Sequence, residues 1–181
     1  MTNHKETAVK FDHLESPINY QQDPTLLFHH LCENKPATLL LESAEITLKT
    51  NLQSLLIVDS ALRIRAFGQQ VEIEALSENG AALLPLIADL LASHSKNINI
   101  TPRQLIVIFP QPAPELDEDN RLKAHSSMDV LRLLPELAQQ KSDKPELLFV
   151  GGLFAYDLIA NFESLPEVAS VNRCPDYCFY V

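Results

Sequence analysis

Residues 54 to 76, SLLIVDSALRIRAFGQQVEIEAL, contain three short runs rich in large aliphatic residues, and they decide the fold class. In VEIEA, residues 71 to 75, apolar residues alternate with glutamates, which is typical of a strand with one buried face. Turn residues at 59–60 and at Gly68 separate the three runs. The stretch therefore predicts an antiparallel meander.

Helices are predicted on both sides of this meander. In DPTLLFHHLCENKP, residues 23 to 36, Asp23 suits the N-cap position and Pro24 suits the first helical position. The segment NGAALLPLIADLLASH, residues 79 to 94, has a helical pattern that tolerates Pro85 only near its start. We expect a short amphipathic helix in the first segment and a second helix in the other.

The second half of the chain continues the mixture of strands and helices. RQLIVIFP, residues 103 to 110, predicts a strand, and residues 110 to 125 predict a Pro-rich, acidic surface loop. SSMDVLRLLPELAQQ, residues 126 to 140, predicts a capped helix that Pro135 should bend or interrupt. Because hairpin-spaced strands outnumber βαβ alternation, the fold class is α+β with a predominantly antiparallel sheet and packed helices.

Adjacent glycines interrupt the apolar segment ELLFVGGLFAYDL, residues 146 to 158, which is predicted to begin as a buried strand. Gly151 and Gly152 are half of the four glycines in the chain. They do not have the spacing of a nucleotide-binding loop. We expect a bulge or a close approach of two backbones at this position.

The stretch ATLLLESAEI, residues 37 to 46, combines an apolar run with polar residues. Thr38 to Leu41 is short and aliphatic, as in a mostly buried strand, and Glu42 and Ser43 follow directly. One interpretation is a strand that ends in solvent, since Glu is rarely buried without a partner. The alternative is a small polar pocket at the strand end.

Composition limits the classes of function. The 181 residues are 46% hydrophobic, which is enough for one domain or one lobe of a larger protein. The net charge of -10 argues against a nucleic-acid partner. No apolar stretch is long enough to span a membrane, and the N-terminus lacks the apolar segment of a secretory signal, so we expect a cytoplasmic location.

Cysteines and acidic residues give no strong sign of a metal site. The odd number of cysteines, Cys32, Cys174 and Cys178, argues against a disulfide framework. CPDYC lacks the spacing of a zinc knuckle, so we expect two ordinary buried or half-buried thiols at Cys174 and Cys178. The consecutive carboxylates of an acidic cluster offer oxygen ligands for a divalent cation, but a solvated loop is the simpler interpretation. This cluster comprises Glu115, Asp117, Glu118 and Asp119.

Histidines are scattered, with no nearby acid or nucleophile and no metal-ligand spacing. We therefore predict no catalytic or metal-binding role for His4, His13, His29, His30, His94 or His125.

Several motifs, in this order and at these separations, resemble the N-terminal part of bacterial anthranilate synthase component I. They are ATLLLESAEI, SLLIVDSALRI, LDEDNRL, GGLFAYDLIANFESLP and CPDYCFYV. The resemblance implies a tail over residues 1–20, expected to be mobile, and an N-terminal regulatory lobe over residues 21–181. It also implies that strands of this lobe join strands of a later part in one two-sheet fold. Since the sequence stops inside a predicted strand, we expect it to be part of a longer protein.

The resemblance implies a lyase that converts chorismate and ammonia to anthranilate and pyruvate in tryptophan biosynthesis. It implies Mg²⁺ as cofactor and a glutamine amidotransferase subunit, component II, as the source of ammonia. In the family the catalytic residues and the Mg²⁺ ligands lie beyond the matching segment. We therefore expect no catalytic residue and no Mg²⁺ ligand in this chain, and no activity from it alone.

The resemblance also implies a regulatory site. In the family, L-tryptophan inhibits by binding a pocket with the LLES motif in one wall, which Leu41, Glu42 and Ser43 match. A lysine expected shortly after the motif has two candidate positions, Lys49 and, in closer register, Gln53. If Gln53 takes this position, one charge toward the inhibitor is lost.

Other interpretations remain open. Aminodeoxychorismate synthase component I is similar in the stretch GLFGYD…FESLP, although LLLESAEI and CPDYCFYV favour anthranilate synthase. A free-standing module for amino-acid binding or protein interaction is a second alternative. A lobe that only supports the catalytic part is a third.

Overall fold

The protein is described by a computed structural model over residues 10–43, 53–113, 115–145, 148–161 and 174–181. The helices are α1 (Pro24–Cys32), α2 (Glu78–Leu91), α3 (Glu118–Lys123) and α4 (Asp129–Lys141), with a 3₁₀ helix at Tyr156–Asn161. The strands are β1 (Leu39–Glu42), β2 (Ser54–Ile57), β3 (Leu62–Phe67), β4 (Gln70–Ala75), β5 (Asn97–Ile100), β6 (Gln104–Ile108), β7 (Gly151–Phe154) and β8 (Tyr177–Tyr180).

The described strands form two antiparallel sheets. β1 and β2 pair with each other, and the other six strands have the order β5-β6-β4-β3-β8-β7. The combination of helices with antiparallel sheets confirms the predicted α+β fold class.

The predicted hairpin of β3 and β4 is present. Gly68 has a φ of 61° in the turn, a conformation that favours glycine. Apolar side chains of both strands are fully buried on one face, whereas Arg65 and Glu72 form an ion pair of 3.0 Å on the other. Alternation within each strand thus separates the core from the partly exposed face, as the sequence predicts.

The prediction of a three-strand meander was wrong for the first strand. β2 pairs with β1 in the separate two-stranded sheet, and the free side of β3 is occupied by β8. In the β1–β2 pair, aliphatic residues of the two strands lie opposite each other, as Leu40 and Leu56 do.

Helices α2 and α4 contribute to the hydrophobic core together with the six-stranded sheet. The two helices contact each other, and α2 also contacts β4, β5 and β6. The largest fully buried side chains of the core include Tyr177, Phe109, Leu62, Ile64, Ile73 and Leu84. Since Tyr177 comes from β8, the last described strand completes the core.

Both long helices contain a proline, and the prediction that Pro85 is tolerated only near a helix start was wrong. Pro85 lies in the middle of α2, and Pro135 neither ends nor interrupts α4. Both prolines are exposed. Because each ring faces outward, the backbone carbonyl that proline leaves without a helical partner remains near water.

Helix starts agree only in part with the predictions. Asp23 caps α1 by accepting a hydrogen bond from the Leu26 amide, as predicted. α4 starts after Met128 and has no side-chain cap, so the prediction of a capped helix was wrong here. The predicted loop at 110–125 contains α3, because Asp117 caps a short helical turn by accepting from the Asn120 amide.

Gly152 lies where two backbones approach closely, as the sequence predicts. A Cβ atom at this position would lie 2.6 Å from the Phe179 Cα on the neighbouring strand and would overlap the Cys178 carbonyl. Only glycine fits β7 against β8 here without a shift.

β7 differs from the buried strand predicted for this segment. It begins only at Gly151, at one edge of the six-stranded sheet. Leu153 and Phe154 are 65% and 53% exposed. Adjacent side chains of a strand point to opposite faces, so the described residues leave both faces of β7 partly uncovered here.

The N-terminal segment was predicted to be a mobile tail over residues 1–20, of which residues 1–9 lie outside the described part. The Phe11 amide donates to the Lys141 carbonyl at 2.7 Å, and the Phe11 side chain packs against the core. No described helix has the length and apolar character needed to cross a membrane.

Candidate regulatory site

The β1–β2 hairpin positions the residues singled out for the regulatory site. At its base, the Ser60 hydroxyl donates to the Ala37 carbonyl at 2.6 Å, and Lys35 pairs with Asp59 at 3.0 Å. At its other end the strands run to Glu42 and Ser54, which lie opposite each other. The predicted site therefore lies at the end of the hairpin away from these contacts.

Ser43 and Gln53 extend the pairing one residue beyond the strands. The Ser43 amide donates to the Gln53 carbonyl at 3.0 Å, and the Gln53 amide donates to the Ser43 hydroxyl at 3.0 Å. The same hydroxyl donates to the Gln53 carbonyl at 3.2 Å. A hydroxyl has two acceptor lone pairs, so Ser43 Oγ keeps one of them for a further donor.

The predicted site residues do not all face the same way. Side chains alternate along a strand, so Leu41 and Ser43 lie on one face of the hairpin and Glu42 on the other. Leu55 and Gln53 lie across from Leu41 and Ser43 and share their face. The hairpin thus brings Leu41, Ser43 and Gln53 together and directs Glu42 away.

Glu42 is exposed at the end of β1, opposite Ser54. Its carboxylate makes no hydrogen bond or ion pair with another residue in the described ranges. Both interpretations of the sequence, a solvated strand end and a pocket residue, remain consistent with this position. Lys49, the other candidate for the expected lysine, lies outside the described residues.

The hairpin lies next to the paired glycines. The Leu39 Cδ2 atom would be 3.2 Å from a Cβ atom built on Gly151, and the Phe149 ring would be closer still. The motifs LLLES and GGLFAYD therefore meet in space, although more than a hundred residues separate them in the sequence. This contact links the candidate site to the edge of the six-stranded sheet.

One group of potential ligands was missed from sequence. His94, His125 and Asp129 come together, so the prediction that no histidine lies near an acid was wrong. His125 and Asp129 are four residues apart, a spacing that brings side chains together on a helical turn, and this signal was available. The position of His94 beside them depends on the packing of α2 and α4.

The remaining candidates have simpler surroundings. The Asp117 carboxylate caps α3 and also accepts from the Asn120 side chain at 3.0 Å.

All three cysteines are free, with Cys32 buried and Cys174 exposed. The prediction of a buried or half-buried thiol was wrong for Cys174, whereas Cys178 is half-buried as predicted.

The chain is similar to curated proteins named anthranilate synthase component 1. It is 51% identical over 162 residues to that of Salmonella typhimurium (strain LT2), which covers 90% of this chain and 31% of the relative. The protein of Escherichia coli (strain K12) is 50% identical, with the same coverage. That of Vibrio cholerae serotype O1 is 49% identical over 179 residues, covering 99% of this chain and 34% of the relative. No protein-family model matches the chain.

These similarities and the α+β fold agree with the motifs found in the sequence. At about 50% identity over most of its length, the chain is similar to an N-terminal segment of anthranilate synthase component 1 proteins. It spans about a third of the length of the curated relatives it matches.

Proposed function

We propose that this chain is the regulatory N-terminal part of an enzyme that converts chorismate and ammonia, or glutamine, to anthranilate and pyruvate. The relatives' name favours this reaction over that of aminodeoxychorismate synthase. The same name supports a second component, a glutamine amidotransferase subunit, as the partner that supplies ammonia. We also propose a cytoplasmic location, as for other enzymes of amino-acid biosynthesis.

Mg²⁺ is the cofactor that we propose for the full-length enzyme. Mg²⁺ prefers oxygen ligands in octahedral geometry. In the described ranges, the one group of three potential ligands contains two imidazoles, and the Asp117 carboxylate is engaged in capping a helix. These donors do not fit Mg²⁺, so we assign its ligands to the part of the protein beyond this chain.

The proposed role of this chain is to form part of the site where L-tryptophan inhibits the enzyme. The observation that supports it is the pairing of Ser43 with Gln53 beside Leu41. A free amino acid needs an acceptor for its ammonium group, a donor for its carboxylate and an apolar surface for its ring. The free lone pair of Ser43 Oγ, the Gln53 side-chain amide and the Leu41 side chain are groups of these three kinds.

Glu42 is included in the proposed site because it is the negatively charged residue nearest to Leu41 and Ser43 along the strand. A carboxylate forms a charge-assisted hydrogen bond with an ammonium group, which is stronger than a neutral one. The alternation of the strand directs Glu42 to the opposite face, so its contact with the inhibitor requires its side chain to reach round the strand end.

The test is Ser43→Phe in the full-length protein, with tryptophan inhibition and the uninhibited rate measured together. A phenyl ring fills the space beside Gln53, so we expect the inhibition constant to rise at least about tenfold, equivalent to about 1.4 kcal/mol. The uninhibited rate should stay within a few-fold, because the reacting atoms are elsewhere.

The matched control is Ser16→Phe, which adds the same ring at an exposed position outside the hairpin and should change neither quantity. Unchanged inhibition in Ser43→Phe contradicts the proposed site. An equal loss of uninhibited activity shows that Ser43 serves structure alone.

A further inference from the structure

Three potential metal ligands meet where the chain leaves α2 and enters α4. His94 lies just after α2, His125 lies four residues before α4 begins, and Asp129 is the first residue of α4. The His125 Nδ1 and Asp129 Oδ2 atoms are 2.9 Å apart, and the His94 Nδ1 and Asp129 Oδ2 atoms are 3.4 Å apart. The three donor atoms all lie within 4.8 Å of one another.

Hydrogen bonding within the group satisfies only one of the two imidazoles. His125 Nδ1 and Asp129 Oδ2 are hydrogen-bonded. His94 Nδ1 is buried and makes no hydrogen bond with any described residue, although it faces the same carboxylate oxygen. A buried polar nitrogen without a partner is unfavourable, so this arrangement favours an additional binding partner.

We propose that His94, His125 and Asp129 bind a divalent transition-metal ion of the Zn²⁺ type. Two imidazole nitrogens and one carboxylate oxygen are a common ligand set for such ions, and water completes the coordination. Ligand atoms of a tetrahedral zinc site lie about 3.4 Å apart, given bonds of about 2.1 Å. The 3.4 Å separation of His94 Nδ1 and Asp129 Oδ2 matches this value, and the 2.9 Å separation of His125 Nδ1 and Asp129 Oδ2 is shorter, as in a hydrogen bond.

Neighbouring groups hold these ligands in place. Arg132 Nη1 donates to Asp129 Oδ1 at 3.1 Å, which leaves Oδ2 for the metal. The Asp129 amide donates to the Ser126 carbonyl at 2.9 Å, and the Tyr177 hydroxyl donates to the Ser127 carbonyl at 2.6 Å. The turn between His125 and Asp129 is therefore fixed before any metal binds.

The two imidazole side chains are partly exposed, so a metal ion is able to reach them from solvent. The Asp129 side chain is only 8% exposed, whereas those of His94 and His125 are 27% and 51% exposed. The two imidazole rings stack with centroids 4.3 Å apart. A bound ion connects the end of α2 to the start of α4, which is a structural role. This metal site is distinct from the proposed inhibitor site on the β1–β2 hairpin.

The experiment titrates the full-length protein with Zn²⁺ and, as a spectroscopic probe, with Co²⁺, in the presence of excess Mg²⁺. Mg²⁺ occupies sites built from oxygen ligands, so these do not contribute to the signal. We expect the wild type to bind one ion more than His94→Gln or His125→Gln, or to bind at least about tenfold more tightly than either. The matched control is His30→Gln, at an exposed position on α1, which should behave as the wild type does.

Thermal unfolding gives a second measurement that does not depend on activity. Zn²⁺ should raise the melting temperature of the wild type and of His30→Gln, because an ion that binds only the folded chain stabilises it. The variants His94→Gln and His125→Gln should melt near the wild type without metal but gain less from it. Equal stoichiometry, affinity and melting shifts in all four proteins overturn the proposal, and the regulatory role of the hairpin is unaffected by that result.

Discussion

Gln53 lies directly across from Ser43, and the Ser43 hydroxyl bonds to both the amide and the carbonyl of Gln53. The family resemblance implies a lysine near this position. Gln53→Lys in the full-length protein should therefore lower the inhibition constant for tryptophan about two- to fivefold, the gain of an exposed ion pair with the inhibitor carboxylate. Gln53→Met, of similar length and without charge, is the control. Equal effects of Lys and Met would show that position 53 does not face the carboxylate.

The role of Glu42 depends on the direction of its side chain, because it is exposed and lies on the face of β1 opposite Leu41 and Ser43. Glu42→Gln keeps the shape and removes the charge, so we expect tryptophan inhibition to weaken by about 1 to 3 kcal/mol. The melting temperature should hardly change. Tryptophan titrations and melting curves of both proteins provide the measurement, and unchanged inhibition removes Glu42 from the site.

Gly152 and Gly151 should differ in their tolerance of alanine. A Cβ atom at Gly152 meets the backbone of β8, whereas one at Gly151 meets mainly the Phe149 ring, which is able to rotate. We expect Gly152→Ala to cost about 1 to 3 kcal/mol of unfolding free energy. Gly151→Ala, the matched control, should cost less. Urea unfolding measures both, and equal costs would mean that β7 moves away from β8 without strain.

Tyr177 should give the unfolding free energy a dependence on alkaline pH. Burial, reinforced by the nearby carboxylates of Asp176 and Asp129, raises the pKa of Tyr177 above its ordinary value. Above pH about 10, the unfolded chain then releases a proton that the folded chain keeps. This contribution to stability is complete below the ordinary pKa and falls with rising pH, by up to about 1.4 kcal/mol per pH unit.

Tyr177→Phe removes both this titration and the hydrogen bond to the Ser127 carbonyl. The variant should be less stable near neutral pH by about 1 to 3 kcal/mol, because a buried carbonyl loses its donor. The difference from the wild type should shrink above pH about 10. Urea unfolding of both proteins across this range is the measurement, and a constant difference would contradict a buried, neutral Tyr177.

Local patterns in the sequence were sufficient to predict local structure. Alternation over 71–75 and a glycine at position 68 gave the β3–β4 hairpin, and Asp23 followed by Pro24 gave the start of α1. These features depend on neighbouring residues and on backbone conformation, which sequence patterns report directly.

Such patterns do not predict which distant segments pair with each other. Periodicity indicates that Ser54–Ile57 forms a strand, but it does not select β1 over β3 as its partner. In the candidate site, the motif predicted Ser43, whereas the bonds that join it to Gln53 depend on this pairing. Likewise, the approach of His94 to Asp129 follows from helix packing alone.

The position of β8 between β3 and β7 has a consequence for the order in which the protein assembles during synthesis. The ribosome releases β3, β4, β5 and β6 before β7 and β8, and these four strands pair with near neighbours in the chain. β7 emerges next but has no partner until residues 177–180 follow. Throughout this interval one side of β3 offers unpaired backbone groups, the kind of edge at which nascent chains aggregate.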